Sequence, residues 1–261
     1  MITLSHLQVT FAPATVMEKK ALKNINLKIA EGEFITVIGS NGAGKSTLLN
    51  AIAGEVMPTK GAIHIDNKEV TRLPAHARAD LVARVFQDPL AGTCGDLTIA
   101  ENMALAHRRG MSRALSKGLS RPDREFYAET LKTLKLGLEN RLDTAMSLLS
   151  GGQRQAVSLL MATLSPLKIL LLDEHSSALD PKTAAFVMKL TEEIVTQKGL
   201  TALMVTHSLQ QALHSGTRTV MLHEGKIIYD VSGEERRKLT VTDLLKQFGA
   251  AMDDDRLLLE Q

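Results

Sequence analysis

The sequence predicts an α/β fold. A mixed or parallel sheet carries a glycine-rich loop, an antiparallel β subdomain lies at the N-terminus, and an α-helical subdomain is inserted. Three observations support this prediction. The first forty residues alternate with the period of β-strands, a strand then leads through a glycine-rich loop into a helix, and short apolar strands return after a helical stretch. The 261 residues, 44% of them hydrophobic, are sufficient to bury a core.

The N-terminal half contains a distinctive succession of elements. Leu4, Ile25 and Leu27 lie in stretches of alternating pattern, which predict strands. Residues 34–38 form a nearly continuous apolar run that ends in glycine, as a buried strand does. Residues 45–53 combine helix formers with apolar positions, and Gly54 ends that helix. We therefore expect a strand, a loop and a helix in that order.

The remaining elements define the predicted domain organisation. Residues 89–165 have helical patterns without a convincing strand, which indicates a helical insertion. Short apolar strands follow at 169–172, 201–205 and 219–222, with a helix at about 181–197 and another near 242–248. We interpret residues 1–261 as a single domain. Its core with the β subdomain comprises 1–88 and 166–261, and its helical subdomain comprises 89–165.

Composition excludes several classes of protein. The longest apolar run, residues 184–188, is far shorter than the roughly 20 residues of a membrane-spanning helix. The single cysteine, Cys94, excludes a disulfide framework and fits the reducing cytosol. A net charge of +2 and the absence of tryptophan give no support to a nucleic-acid partner. We expect a cytoplasmic protein that does not bind nucleic acid.

One segment matches the phosphate-binding pattern GxxxxGK[ST], between a predicted strand and a predicted helix. Its residues are Gly39, Ser40, Asn41, Gly42, Ala43, Gly44, Lys45 and Ser46. In such a loop backbone N–H groups surround a phosphate, the lysine reaches the β- and γ-phosphates, and the serine hydroxyl binds Mg²⁺. Thr47 would add a contact nearer the α-phosphate. The alternative is a flexible Gly/Ser turn.

Asp173 and Glu174 follow a short apolar strand. A carboxylate at the end of a buried strand can hold Mg²⁺, which assigns that role to Asp173. The adjacent Glu174 can then orient or deprotonate an attacking water, as a catalytic base does. The alternative is an acidic helix cap at a strand-to-helix turn.

A third motif, Leu-Ser-Gly-Gly-Gln, is the most informative stretch, because an exact match to this pentapeptide is rarely expected by chance. It occupies residues 149–153 and includes Ser150, Gly151, Gly152 and Gln153. Together with the loop and the acidic strand, it makes the sequence resemble the nucleotide-binding subunit of an ATP-binding cassette (ABC) transporter. The resemblance covers nearly the whole chain and implies a P-loop NTPase core.

Four other positions resemble residues of that family, in the family's order along the chain. Gln87 resembles the glutamine that senses metal and water, Asp180 belongs to the loop that communicates between two sites, and His207 resembles the switch histidine on the γ-phosphate. Phe11 resembles the aromatic that stacks on adenine, although residues 12–20 are longer than usual. Three of them have a simpler alternative: a surface loop for Gln87, a strand cap for His207 and a core aromatic for Phe11.

The resemblance implies a mechanism with two copies of the chain. Two ATP molecules with Mg²⁺ would lie between Lys45 of one copy and Ser150 of the other, and Glu174 would act in hydrolysis. The partners would be an integral membrane permease and an extracytoplasmic solute-binding protein, with the chain peripheral at the cytoplasmic membrane face. The implied role is a bacterial importer of amino acids or similar small solutes.

Other functions stay open from the sequence. They are the ATPase of a lipid or export system, or a soluble member of the superfamily acting on nucleic acid, ribosomes or cluster assembly. A small-molecule P-loop kinase would leave residues 149–153 unexplained.

Two further features carry expectations. His175 stands where many family members have proline, and either caps a helix or titrates. A basic cluster in the insertion could contact anionic lipid, with a solvated helix face as the alternative. The cluster consists of Arg108, Arg109, Arg113, Lys117, Arg121 and Arg124.

Overall fold

A computed structural model describes residues 1–111 and 118–249. The chain divides into two compact units. The first consists of residues 1–74 with the residues from 201 onward, and the second consists of residues 75–200. Each unit contains a parallel strand pair with helices beside it in sequence.

The strands in chain order are β1 Ile2–Phe11, β2 Lys19–Ile29, β3 Phe34–Gly39, β4 Lys60–Ile65, β5 Lys68–Glu69, β6 Val82–Val85, β7 Ile169–Asp173, β8 Ala202–Val205, β9 Arg218–His223 and β10 Lys226–Ser232. The α-helices are α1 Lys45–Ala53, α2 Ile99–His107, α3 Arg121–Lys132, α4 Gly151–Ala162, α5 Pro181–Gln197, α6 Leu209–His214 and α7 Gly233–Arg237. Residues 241–249 are also helical. Short 3₁₀ turns lie at Ala75–Arg78, Leu138–Asn140 and Met146–Leu148.

The first unit contains an antiparallel sheet in the order β2-β1-β4-β5. β1 pairs with β2 from Ile2 opposite Ile29, and with β4 from Ile2 opposite Ile65. Along β1 buried residues alternate with more exposed ones, because one face of the sheet is covered. This confirms the antiparallel β subdomain at the N-terminus.

The same unit contains a second group of strands, in the order β10-β9-β3-β8. β3 runs parallel to β8 and to β9, whereas β10 is antiparallel to β9, so the group is mixed. All four residues of β8 are buried, as are five of the six in β3. Strands covered on both faces are apolar throughout, which is why the sequence shows continuous runs here instead of alternation.

Helix α1 follows β3 after the glycine-rich loop and ends as the sequence predicts. Gly54 adopts the left-handed conformation at φ 82°, and its N–H bonds to the helix carbonyls of Ala51 and Asn50. Glycine is favoured there because a Cβ is strained at positive φ.

In the second unit β6 runs parallel to β7, with Val82 opposite Ile169. Between residues 89 and 165 the described residues form helices and 3₁₀ turns, apart from an isolated bridge between Thr98 and Ala145. Capping boxes begin three of these helices, at Thr98, Ser120 and Ser150. Polar side chains at these positions satisfy backbone N–H groups that have no partner within the helix.

The sequence-based prediction of elements is correct for α1 and for α5 at Pro181–Gln197. The short strands β4 and β6 were not individually predicted. The division at residues 88 and 165 stays a prediction. Within the described residues, no helix combines the length and the apolar character that crossing a bilayer requires.

Arg236 holds the C-terminal end of α6 in place. Its buried guanidinium donates from Nε to the Thr219 hydroxyl at 2.9 Å, and from Nη2 to the carbonyls of Ala212 at 2.8 Å and Ser215 at 2.5 Å. Residues 206–208, which include His207, connect β8 to α6. The anchor therefore holds the helix that follows His207.

We expect Arg236→Met to lower the free energy of unfolding by about 3 kcal/mol, because it leaves buried carbonyl oxygens without their charged donor. Chemical denaturation measures this change. The neighbouring Arg237 is exposed and pairs with Glu234, so Arg237→Met is a matched control with an expected effect within about 0.5 kcal/mol. Equal effects of the two substitutions would contradict the anchoring role.

Candidate functional site

The glycine-rich loop of the first unit is preformed around the Lys45 side chain. The Lys45 ammonium is buried and donates hydrogen bonds to the carbonyl of Gly39 at 2.8 Å and of Ser40 at 3.1 Å. A cation is therefore held inside the loop by the loop's own backbone. Ser46 is exposed on the first turn of α1, and Thr47 is half-buried beside it.

The start of α1 suits an anion. Gly44 is the N-cap residue and provides no side chain to cap the helix. The first N–H groups of a helix carry a partial positive charge, and in this loop they adjoin the Lys45 ammonium. The loop therefore offers backbone donors and a charge to a phosphate, which fits the predicted nucleotide.

The glycines of the loop are required for two different reasons. Gly42 has φ +81° with open space around it, so its constraint is conformational. Gly44 has φ +102°, and a Cβ there would also lie 2.6 Å from the Ala21 carbonyl oxygen. A side chain at either position is strained, which argues against an arbitrary flexible turn.

His207 and Phe11 are exposed at strand ends of the first unit. His207 follows β8, which is parallel to β3, so the residue lies at the same strand edge as the loop. Phe11 is the last residue of β1 and is 42% exposed. The alternative of a core aromatic is therefore wrong, and an adenine-stacking role for Phe11 stays a prediction.

In the second unit the ends of β6 and β7 carry Gln87 and the two carboxylates. Asp173 accepts a hydrogen bond on Oδ2 from Nη2 of Arg84 at 2.5 Å. Both side chains are largely buried, at 15% and 11% exposure. Arg84 also stacks over the Phe86 ring at 4.7 Å. The sequence reasoning missed Arg84, because only the parallel register of β6 and β7 places it opposite Leu171, two residues before Asp173.

Glu174 has an uncommon backbone conformation. Its φ is +44°, a region that costs a residue with a side chain of the order of 1–3 kcal/mol. The Ser177 hydroxyl donates to the Glu174 carbonyl at 2.8 Å and accepts from the Gln87 amide at 3.2 Å. Gln87 is thus an exposed loop residue that is hydrogen-bonded to the turn after Glu174.

His175 neither caps a helix nor lies on the surface. Its side chain is 2% exposed, and Nε2 lies 2.9 Å from the hydroxyl of Thr191 on α5. Burial lowers the pKa of His175 to about 4, so the ring is neutral near pH 7. The expected N-cap role is wrong because α5 begins six residues further on, with Asp180 as its N-cap.

The signature segment, residues 149–153, forms the start of α4. The Ser150 hydroxyl accepts from the Gln153 N–H, and the Gln153 side chain accepts from the Ser150 N–H. A Cβ on Gly152 would overlap the Thr183 side chain, and one on Gly151 would meet Leu179 at 3.3 Å. Both glycines therefore let α4 pack closely on the start of α5.

Asp180 performs the same kind of capping at α5. Its Oδ1 accepts from the Thr183 N–H at 3.1 Å, and the hydrogen bonds from Thr183 lower the pKa of Asp180. Its carboxylate is exposed and ionised near neutral pH. A role for Asp180 toward nucleotide stays a prediction.

The described residues contain no cluster of three or more histidine, cysteine or acidic side chains that could hold a metal by itself. The predicted metal ligands Ser46, Asp173 and Gln87 offer oxygen donors. Magnesium is typically bound by one or two protein oxygens together with phosphate oxygens. The oxygens of Asp173 and Gln87 in the second unit, and that of Ser46 in the first, each suit Mg²⁺ that arrives with a nucleotide.

A cavity of about 690 Å³ in the second unit is lined by cationic side chains. Its basic lining residues are His76, Arg84, Arg108 and Arg109, and the described lining contains no Asp or Glu. Arg109 donates from Nη1 to the Ala162 carbonyl at 3.2 Å, while its buried Nε and Nη2 have no hydrogen-bond partner among the described residues. Burial lowers the pKa of Arg109. Arg109 thus lines the cavity, and two of its buried nitrogens are unsatisfied.

The basic cluster predicted from the sequence is divided in the structure. Arg121 pairs with Glu125 at 3.0 Å and Arg124 with Asp143 at 2.6 Å, while Arg109 is directed inward. Arg113 and Lys117 lie outside the described residues. The lipid-contact hypothesis is untested on those two positions, and the described arginines do not form one solvated face.

Comparison with known proteins identifies the family. The family model described as ABC transporter matches residues 22–177, which include the phosphate-binding loop and the signature segment. A tyrosine transport ATP-binding protein of Clostridioides difficile is 42% identical over 252 residues, covering 97% of this chain and 100% of that protein. A methionine import ATP-binding protein of Carboxydothermus hydrogenoformans is 32% identical over 87% of this chain and 65% of its own length.

A solved structure agrees with the fold. It is a dimeric ATP-binding cassette in a post-hydrolysis state bound to ADP and phosphate, with a TM-score of 0.75 and 32% identity. The alignment covers 89% of this chain and 98% of that one. The α/β architecture predicted from the sequence is confirmed.

The buried His175 makes stability depend on pH. Because its pKa is about 4 in the folded chain and 6.5 when unfolded, the unfolded state binds more protons between these values. The contribution of neutral His175 to the free energy of unfolding is fully present above pH 6.5. It decreases by about 3 kcal/mol as the pH falls toward 4. Denaturant titrations from pH 7.5 to 4.5 measure the slope. In His175→Gln, which cannot titrate, the slope should be shallower, and an unchanged slope would contradict the assignment.

Proposed function

The chain belongs to the ATP-binding subunits of ABC transporters, and from this premise we propose that it drives a bacterial importer of amino acids or similar small solutes. The chain is an ATP hydrolase. Two observations carry the proposal: one chain holds both a phosphate-binding loop and a signature segment, and the tyrosine and methionine transport proteins are related to it over most of its length.

The residues of the first unit bind the nucleotide. Lys45 and the backbone N–H groups of residues 40–46 hold the phosphates, with Ser46 and Thr47 on the first turn of α1. Phe11 stacks on adenine and His207 contacts the γ-phosphate. The hydrogen bonds of Lys45 to Gly39 and Ser40 support this role, because they hold the ammonium in the loop before a phosphate arrives.

The residues of the second unit act on water. The oxygen of a water molecule attacks the γ-phosphorus while Glu174 accepts a proton from that water. The bond between the γ-phosphorus and the oxygen that bridges it to the β-phosphate breaks, which releases ADP and phosphate. Asp173 and Gln87 would offer oxygen donors to Mg²⁺, as Ser46 of the first unit would, and the metal when bound would neutralise charge on the phosphate oxygens. The Arg84 ion pair fixes the Asp173 carboxylate in position.

We further propose that two copies form the complete site. Ser150, Gly151, Gly152 and Gln153 would cover the nucleotide held by the other copy. Ser150 is exposed, and the adjacent Leu148 is 72% exposed, although it is a large apolar side chain. The dimeric relative bound to ADP and phosphate supports the same arrangement.

The separate permease would dock at the cationic cavity of the second unit. Its occupant would be a cytoplasmic segment of the permease that carries an acidic side chain, since the described lining includes Arg84, Arg108 and Arg109 and no acidic residue. The chain would then lie at the cytoplasmic membrane face. A solute-binding protein outside the membrane would deliver the solute.

We expect Glu174→Gln to lower the ATP turnover rate at least 100-fold and to trap a dimer with Mg²⁺-ATP, because the substitution removes the base but retains binding. Size-exclusion chromatography with light scattering measures the mass. Adding Lys45→Ala to the same chain should abolish the dimer. Parental turnover would contradict the role of Glu174, and a monomer with ATP bound would contradict the two-copy site.

Purification in mild detergent from native cells tests the permease. We expect a polytopic membrane protein to co-purify, and Arg109→Met to reduce its recovery at least tenfold without changing ATP affinity. Arg121→Met, at an exposed position with only an ion pair to Glu125, is the matched control. Equal recovery from both variants would contradict docking at the cavity. Ribosomal, DNA-repair or cluster-assembly companions would contradict transport.

A further inference from the structure

We propose that the hydrogen bond between His175 and Thr191 positions the Glu174 carboxylate for its reaction with water. His175 is a positioning residue in this proposal, since its buried ring acts through the adjacent backbone. The inference rests on the proposed role of Glu174 as the base.

The first observation is the conformation of Glu174 itself. At φ +44° the residue lies where a side chain is strained, directly after the last residue of β7. Such a conformation persists only when the surrounding structure holds it. The position of the Glu174 side chain therefore depends on what fixes the residues on either side of it.

The residue before Glu174 is fixed by its strand and its ion pair. Asp173 ends β7, in parallel register with β6, and its carboxylate is bound by Arg84. On the other side the Glu174 carbonyl accepts from both the N–H, at 2.9 Å, and the hydroxyl, at 2.8 Å, of Ser177. These bonds form a local turn, and they do not attach that turn to a helix.

His175 provides that attachment. Its ring is buried and reaches α5, where Nε2 lies 2.9 Å from the Thr191 hydroxyl oxygen. That hydroxyl donates its own hydrogen to the Val187 carbonyl at 2.8 Å. The oxygen must therefore accept from Nε2–H, which specifies the neutral tautomer with hydrogen on Nε2. The bond links the residue after Glu174 to a helix of 17 residues.

The direction of this bond explains why the position suits histidine. The imidazole spans the space between the strand end and α5, and donates one hydrogen bond without carrying a buried charge. Proline, which the family pattern has at this position, provides no side-chain donor. In this chain the Thr191 hydroxyl and the His175 ring are complementary, so the anchor should depend on both residues.

Thr191→Val tests the proposal because it keeps the shape of the side chain and removes the acceptor. We expect the turnover number for ATP to fall about tenfold, as for a small misplacement of a reacting group, with the KM for ATP within about twofold. Thr191→Ser restores the hydroxyl and should restore turnover. The matched control is Thr163→Val, another buried threonine whose hydroxyl bonds only to helix carbonyls, of Leu159 and Leu160.

Two further measurements separate positioning from loss of structure. The dissociation constant for ATP in EDTA, without turnover, should be the same in Thr191→Val and the parent chain. If Thr191→Val does not fold, His175→Gln and His175→Leu replace it, since glutamine places an N–H near the Nε2 position. Turnover should then be within about threefold of the parent for glutamine and about tenfold lower for leucine.

The outcomes are distinct. Equal turnover in Thr191→Val and Thr163→Val, or in the glutamine and leucine variants, overturns the positioning role. A rise in KM that accounts for the whole loss also overturns it. Parental turnover in Glu174→Gln instead shows that the proposed base is wrong, whatever the Thr191 variants do.

Discussion

Parallel pairing of short buried strands is the constraint on which the position of every catalytic candidate depends. Strands paired in parallel end at the same edge, so the residues that follow them are brought together. In the first unit this holds for β3 and β8, which precede the phosphate-binding loop and His207. In the second unit it holds for β6, which precedes Gln87, and for β7, which ends at Asp173. Because these strands are mainly apolar, the candidate site residues lie at or beyond their ends.

Several residues that resemble nucleotide contacts also hold the local structure. Ser150 and Gln153 cap α4, and Asp180 caps α5. Since a cap contributes about 1 kcal/mol, substitution of these residues removes stability as well as any nucleotide contact. A loss of activity on their substitution is therefore informative only beside a measurement of folding. Lys45 and His207 have no such capping role in the helices described.

The sequence predicted the elements but not the contacts between their side chains. Gly54 and Pro181 are local signals, and they correctly place the end of α1 and the start of α5. Arg84 and Thr191 could not be found in this way, because each depends on a distant residue. Arg84 binds Asp173, 89 positions away, and Thr191 bonds to His175, 16 positions away. His175 stands where the family pattern has proline, but the sequence pattern does not show that its ring is buried and bonded to α5.

The contacts of the second unit connect the signature segment to the turn that carries Glu174. Gly152 packs against Thr183 at the start of α5. The chain before Thr183 includes Ser177, whose hydroxyl donates to the Glu174 carbonyl and accepts from the Gln87 amide. In a closely packed interior a shift of one element must move its neighbours. If the signature segment contacts a nucleotide held by another copy, closure of that contact acts on the same turn that carries Glu174. A nucleotide held by the other copy would thereby adjust the position of Glu174 in this copy, through contiguous contacts within the second unit.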